Sequence, residues 1–326
     1  MVNWIIKFAL GGLFLLLAVL YVERGRLLRR STWRLLKDGG LGRLLNGSFV
    51  HAFAYIRWPR EYVGLGRFLL VPLYSRQMKH AAAGSYHGKV LTTELAKRLV
   101  SVNQPVPLHD VEHVLPYPRA RELVLQGPPE IVVVECPCRA TRPHPCQPTQ
   151  VCMIVGQPFV DFILEHHPAT SRRLTTAEAV QLLEDEHNRG HLQAAYFKDV
   201  MLGRFYAICN CCKCCCGAIE VMTRHGLSMI TSSGYLAQVD EISCAACGTC
   251  EEVCAFHAIQ VDDFSRVDWQ RCMGCGVCES QCPNNAIHLV RDERKGVPLD
   301  VMMMHREDTI ASPAKSPERV DVHPGQ

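Results

Sequence analysis

CAACGTCEEVC at 244–254 and CMGCGVCESQCP at 272–283 decide the fold of the C-terminal part of this chain. Each stretch spaces its thiols as Cys-x2-Cys-x2-Cys-x3-Cys: Cys244, Cys247, Cys250 and Cys254, then Cys272, Cys275, Cys278 and Cys282. A loop that returns a thiolate every third residue grips three irons of one cubane, and a fourth thiolate set off by three residues serves a second cubane. The spacing therefore predicts two [4Fe–4S] clusters with crossed ligand sets. Cys244, Cys247, Cys250 and Cys282 would hold one, and Cys272, Cys275, Cys278 and Cys254 the other. Structural zinc also takes Cys-x2-Cys pairs, but as two pairs rather than as runs of three plus one. Thiols this crowded, in a chain this long, suit metal in a reducing compartment and not a disulfide framework.

The two runs are copies at an offset of 28 residues, since Asp240/Asp268, the four cysteines, Gly248/Gly276, Ala258/Ala286 and Ile259/Ile287 all match. Over residues 237–292 the sequence resembles the bacterial two-cluster ferredoxin domain. The resemblance implies a pseudo-twofold α+β fold with short hairpins and one helix per half, the clusters forming much of its core. Ala255 stands where that family usually has the proline that follows the fourth cysteine, as Pro283 does in the second half. Proline pre-sets the backbone and removes an N–H, so this departure touches local geometry and no ligand.

Ten further cysteines fall upstream. The segment Glu130–Glu135 reads as a short buried strand that delivers the chain into Cys136 and Cys138. Cys146 and Cys152 follow, and after a helix opened by the capping box Thr175–Glu178 and closed near Gly190 comes CNCCKCCC, with Cys209, Cys211, Cys212, Cys214, Cys215 and Cys216. Four thiolates suffice for one cubane, and six within eight residues point in different directions, so the set exceeds the needs of one ion. Three readings compete: one or two additional iron–sulfur clusters, with Cys136, Cys138, Cys146 and Cys152 on one side and the CNCCKCCC group on the other; structural zinc; or a thiol/disulfide redox centre or cluster of unusual nuclearity. Residues 86–292 resemble a family of multi-cysteine (CPCR…CNCCKCCC) 4Fe–4S binding proteins, which implies electron handling and names no substrate. Arg139 reads either as a hydrogen-bond donor to cluster sulfur or as a surface arginine. His144, His166, His167, His187 and His191 read as surface or hydrogen-bonded residues rather than ligands.

At the other end, Trp4–Val22 is nineteen residues interrupted only by Lys7. As a helix it is roughly 28 Å long, enough to cross a bilayer. Residues 1–38 hold seven Lys/Arg against two acids, and the basic collar after Val22 would keep the bulk of the chain in the cytoplasm. The expected localisation is single-pass in the cytoplasmic (inner) membrane, with the bilayer as a partner. A cleaved signal peptide fits less well, for want of a small-x-small site. The expected organisation is an anchor and basic collar over 1–30, a juxtamembrane aromatic and basic segment over 31–88, a Cys-rich α/β domain over 89–236, the ferredoxin domain over 237–292 and a disordered tail over 293–326. The fold class is thus α+β: a transmembrane helix, the Cys-rich domain and a ferredoxin-like domain. The aromatics of 39–88 either lie in a membrane interface or pack on the folded body, and Pro59, Gly64, Gly66 and Pro72 break any long helix there. Helices are predicted at Thr92–Val100 and around Pro118–Gln126.

With 35 Lys+Arg against 32 Asp+Glu, no nucleic-acid-binding surface is indicated. No Gly-rich phosphate loop follows a strand and no nucleophile-elbow serine occurs. The sequence predicts an electron carrier working with soluble or membrane-bound redox partner proteins. The alternative is a redox enzyme component, or a redox or iron sensor, whose middle cysteines do the chemistry.

Overall fold

Seven strands form one sheet in the order β6-β4-β5-β8-β7-β1-β9. They are β1 (Tyr86–Leu91), β4 (Ile131–Glu135), β5 (Gln150–Val155), β6 (Ser171–Leu174), β7 (Leu192–Lys198), β8 (Arg204–Cys211) and β9 (Ile230–Thr231). In this computed structural model the described residues are 21, 23–73, 77, 86–102, 106–108, 123–125 and 129–301. Neighbours in the sheet are antiparallel except β1 and β9. Strand side chains alternate between faces, and both faces are apolar: Val132, Val134, Ile154, Ala194 and Ala207 lie on one, Ile131, Val133, Met153, Ala195 and Ile208 on the other.

The second face is covered by α-helices that their caps define well. Thr92 accepts a hydrogen bond from the Leu95 N–H and opens Thr93–Val100. Thr175 and Glu178 close both halves of the capping box that starts Thr176–Asn188, after which Gly190 takes a positive φ of 80°. The first face is covered by the N-terminal helices Arg30–Gly39 and Ser48–Arg57 and by Phe159–His166. Their packing centres on aromatics: Phe53 meets Phe162 edge-on at 5.7 Å, and His166 stacks on Phe162 at 3.9 Å. The Thr32 hydroxyl lies 3.1 Å from His166 Nε2. Burial, reinforced by Arg29 and Arg57, holds the His166 pKa down to about 3 against a usual 6.5. Between those values the unfolded chain binds the proton and the folded one does not, so stability falls as the pH drops from 6.5 toward 3. The expected result is a urea midpoint that declines between pH 6.5 and 5. In a His166→Phe variant that decline is smaller. Equal slopes for the two proteins would rule out His166 as its source.

These observations correct the expected architecture. The described residues form a mixed α/β fold, and no helix among them is long and apolar enough to cross a membrane. Trp4–Val22, Tyr21 apart, lies outside the described residues. The expected transmembrane anchor, single-pass membrane localisation and bilayer partner are therefore not supported among the described residues. Residues 39–73 pack on the body through Ala52, Phe53 and Ile56, Tyr55 reaching the Tyr206 hydroxyl at 2.6 Å. Gly64 and Gly66 do not break the helix: Pro59–Leu65 continues through a π turn at Gly66–Leu70, with Gly66 in ordinary helical geometry. Pro59 occupies the first helical turn, where its missing N–H costs nothing. Leu123–Leu125 is a strand paired with Val106–Leu108, not part of a helix, and the remainder of Pro118–Gln126 lies outside the described residues. Past the ferredoxin segment, Leu299 and Val301 are buried against Thr93–Val100, and Asp300 pairs with Arg98 at 2.7 Å. Residues 293–301 thus belong to the folded body and not to a disordered tail, because two apolar side chains and one ion pair recruit them. Residues 302–326, including Met302, Met303 and Met304, lie outside the described residues.

Candidate metal centres

The strand period brings four cysteines to one face of the sheet, and two short helices add two more. Cys152 and Ile154 project from β5 on the face that carries Val132 and Val134 of β4, and Cys136 continues that face one step beyond β4. Cys209 and Cys211, two apart on β8, share it, with Ala194↔Cys209 and Leu192↔Cys211 in register with β7. Cys136 then caps the short helix Pro137–Ala140, which carries Cys138, and Cys216 caps Gly217–His225. The result is a closed ring in which each thiol interacts with the next: Cys136, Cys138, Cys216, Cys211, Cys209, Cys152 and back to Cys136.

Charge is shared unevenly around this ring. Cys138 is held well below the usual thiol range, first by Cys136 and Cys216 and then by the Gly217 N–H. Cys211 is held low by Cys209 and Cys216. Their neighbours Cys136, Cys209 and Cys216 are pushed up as proton donors to them and by burial. Two thiols are thus held low, each flanked by neighbours pushed up, and metal binding displaces the protons that remain.

The other four upstream cysteines make a different group. Cys146, Cys212, Cys214 and Cys215 place their sulfurs within 4.8 Å of one another, and among the described residues this is the set of that compactness. Cys146 Sγ lies 2.8 Å from Cys214 Sγ, and Cys214 Sγ 3.5 Å from Cys215 Sγ. Four thiolates on one tetrahedral zinc, each at 2.3 Å, sit about 3.8 Å apart, so this group has the size of a mononuclear site. The ten cysteines thus divide six and four. Cys146 leaves Cys136, Cys138 and Cys152, and the CNCCKCCC stretch is split between both groups, because Cys209 and Cys211 lie on a strand while Cys212, Cys214 and Cys215 occupy the turn after it.

Arg139 stands between the groups. Its side chain is 0 % exposed and pairs with the equally buried Glu186 at 2.7 Å. It also donates to the Asn210 carbonyl at 3.1 Å and to the Pro148 carbonyl, while His191 donates through Nδ1 to Glu186 at 2.8 Å. Burial alone would lower its pKa, but Glu186 and the charges of Cys212 and Cys136 hold it above the ordinary value. The surface reading of Arg139 is therefore overturned: it is an internal strut whose charge offsets nearby thiolates. His191 contacts Glu186, His166 packs on Phe162, and His167 bonds the Ile56 carbonyl at 2.8 Å.

In the C-terminal segment β10 (Tyr235–Val239) pairs with β13 (Ile287–Arg291), and β11 (Ile259–Val261) with β12 (Ser265–Val267). The repeat seen in sequence extends to the backbone. Ala246 and Gly274 have φ of 49° and 62°, Gly248 and Gly276 82° and 83°, His257 and Asn285 51° and 50°. The Ala258 N–H donates to Cys254 Sγ and the Ala286 N–H to Cys282 Sγ, both at 3.3 Å. Cys254, from the first run, lines one small cavity together with Cys272, Cys275 and Cys278 of the second. The buried Ser265, which no sequence motif singles out, bonds both Cys244 and Cys250 through its hydroxyl. Cys247 is exposed, whereas burial pushes the Cys275 thiol up to about 12.

Residues 265–288 match the 4Fe-4S binding domain family. With the cysteine-rich groups described above, this match points to an iron–sulfur electron-transfer protein with a 4Fe–4S cluster in that segment. No curated protein matches the chain.

Proposed function

We propose that the C-terminal segment carries two [4Fe–4S] clusters with crossed ligands, one on Cys244, Cys247, Cys250 and Cys282, the other on Cys272, Cys275, Cys278 and Cys254. Electrons pass from a partner protein through them to metal in the middle domain. The observation that carries this reading is Cys254 standing with the three cysteines of the second run around one cavity. The six-thiol ring takes a polynuclear iron–sulfur cluster: it offers more thiolates than one ion accepts, over a wider span than the compact group. Cys146, Cys212, Cys214 and Cys215 take a single tetrahedral ion, zinc or iron. When bound, the iron–sulfur centres supply one-electron chemistry. The chain supplies thiolates, the Ser265, Ala258 and Ala286 hydrogen bonds that tune sulfur basicity, and the Arg139 charge.

Pairwise substitution tests the crossing, with iron and acid-labile sulfide measured on protein purified without oxygen. Cys275→Ser loses about four irons, and adding Cys254→Ser loses no more, since both residues serve one cluster. Cys247→Ser with Cys254→Ser loses about eight. If Cys247 and Cys254 behave as one unit instead, the ligation is uncrossed and the proposal is wrong.

A further inference from the structure

The ring thiols form the floor of a cavity of about 490 Å³, a volume within the range of roughly 300–1,000 Å³ typical of small-molecule sites. The cavity extends well beyond the thiols. Its far wall is apolar, with Val63, Leu65, Leu70 and Val71, and a cluster seated on the ring has no need of that wall. Polar groups converge at one place. The Tyr55 hydroxyl pairs with that of Tyr206 at 2.6 Å and senses the charges of Cys209 and Cys138. Lys198 Nζ lies 3.6 Å above the Tyr55 ring and donates to the Tyr62 hydroxyl at 3.4 Å. That hydroxyl is 2.7 Å from Nε2 of the exposed His51. His51, Tyr62 and Lys198 thus form a hydrogen-bonded line of proton-carrying groups from the surface into the cavity.

We propose that this cavity is a reaction chamber that binds an apolar, conjugated dicarbonyl compound of the quinone class and reduces it to the hydroquinone. The inference rests on the ring holding a redox cluster, as proposed above. Simple electron relay moves no protons, so a proton line that ends in a cavity floored by the thiols marks a reduction that consumes them. Iron–sulfur centres release electrons singly, so the substrate must tolerate one added electron, as a conjugated dicarbonyl does. An uncharged flat ring also suits an apolar wall faced by tyrosine rings. The balance is one quinone, two electrons delivered one at a time by a low-potential donor protein through the ferredoxin clusters, and two protons delivered in turn by Lys198, reloaded from solvent through Tyr62 and His51. Each carbonyl oxygen gains one proton as the ring becomes aromatic. Burial lowers the Lys198 pKa to about 7, so its proton is transferable near neutral pH.

Duroquinone is the probe, because its fully substituted ring cannot add to cysteine. Calorimetric titration of the oxidised holoprotein should show saturable binding of one duroquinone per chain. Val63→Trp and, independently, Leu70→Trp should weaken it about tenfold or more, with iron content unchanged. Lys198→Met should leave binding within about threefold yet slow reoxidation of the dithionite-reduced protein at saturating duroquinone by about 100-fold. Reoxidation that rises linearly with duroquinone and is equal in all variants would place the electron exit elsewhere, such as at the exposed Cys247, and overturn the chamber. Iron counts separate the two readings. If Cys209→Ser loses no iron, the ring reading fails and the redox step with it. If the ring is loaded but duroquinone binding does not saturate, the chamber alone fails.

Discussion

Arg139→Met is expected to lower the thermal midpoint by roughly 6–20 °C. Removing one partner of a fully buried ion pair costs about 3–5 kcal/mol, and in a body of this size each kcal/mol is worth about 2–4 °C. The magnitude follows from what remains. Glu186 keeps Arg189 at 3.0 Å and His191 at 2.8 Å but loses its buried cation, and the Asn210 and Pro148 carbonyls lose a donor. Arg139→Lys should recover little, because one ammonium cannot reproduce a planar fork that reaches the Glu186 carboxylate and the Asn210 and Pro148 carbonyls. The double variant Arg139→Met/Glu186→Gln should be more stable than Arg139→Met alone, since no charge is then stranded. A midpoint within 2 °C of wild type in Arg139→Met, read by calorimetry on metal-loaded protein, would show that the strut carries no such load. The same substitution removes the charge that favours thiolate at Cys212, so some loss of middle-domain metal should accompany the destabilisation.

The second large effect is expected from Gly274→Ala. A methyl there would lie 2.2 Å from the Tyr235 carbonyl oxygen and 2.5 Å from the Ser233 hydroxyl, which donates to the Gly274 carbonyl at 2.6 Å. Contacts that short to backbone require the Cys272–Cys278 loop to move, beyond the usual 1–3 kcal/mol of overpacking. The expected outcome is loss of about four irons with the other centres retained, read by metal analysis and by electron paramagnetic resonance of the reduced protein. Its repeat mate supplies the control: Ala246 already carries a methyl at a φ of 49°, so positive φ alone is tolerated at this position and the close approach is what demands glycine. Gly248→Ala, with φ 82° and nothing within 4 Å, should cost only about 1 kcal/mol of backbone strain and no iron. Full iron retention in Gly274→Ala would mean that the loop adjusts without releasing its cluster.

Local features were well marked in the sequence. The capping box Thr175–Glu178, the Thr92 cap and the β-branched run at Ile131–Glu135 each depend on residues within a few positions of one another, and each stands where its pattern places it. The 28-residue repeat likewise carried through to matching backbone angles. The readings that failed depended on distant neighbours. Arg139 looks like any arginine until Glu186, His191 and Asn210 close around it. Gly64 and Gly66 look like helix breakers until packing against the body holds the backbone helical. Lys198 and Tyr55 carry no motif at all, and their proximity is made by a helix from residues 48–57 lying over a strand from residues 192–198.

For the cysteines the division is instructive. Sequence by itself determined their number, the two C-terminal runs and the reducing, metal-rich chemistry they require, because ligand spacing along a tight loop is a local property. It also contained the alternation of Cys209 and Cys211, which places both on one face of any strand. Only the tertiary structure decided which thiols stand together: the antiparallel registers of β4, β5, β7 and β8, with two short helices, assemble six of them into a ring beside a cavity, and the turn after β8 brings three to Cys146 in a compact group. Register is set by side-chain packing between strands far apart in the chain, and no spacing within a single motif encodes it.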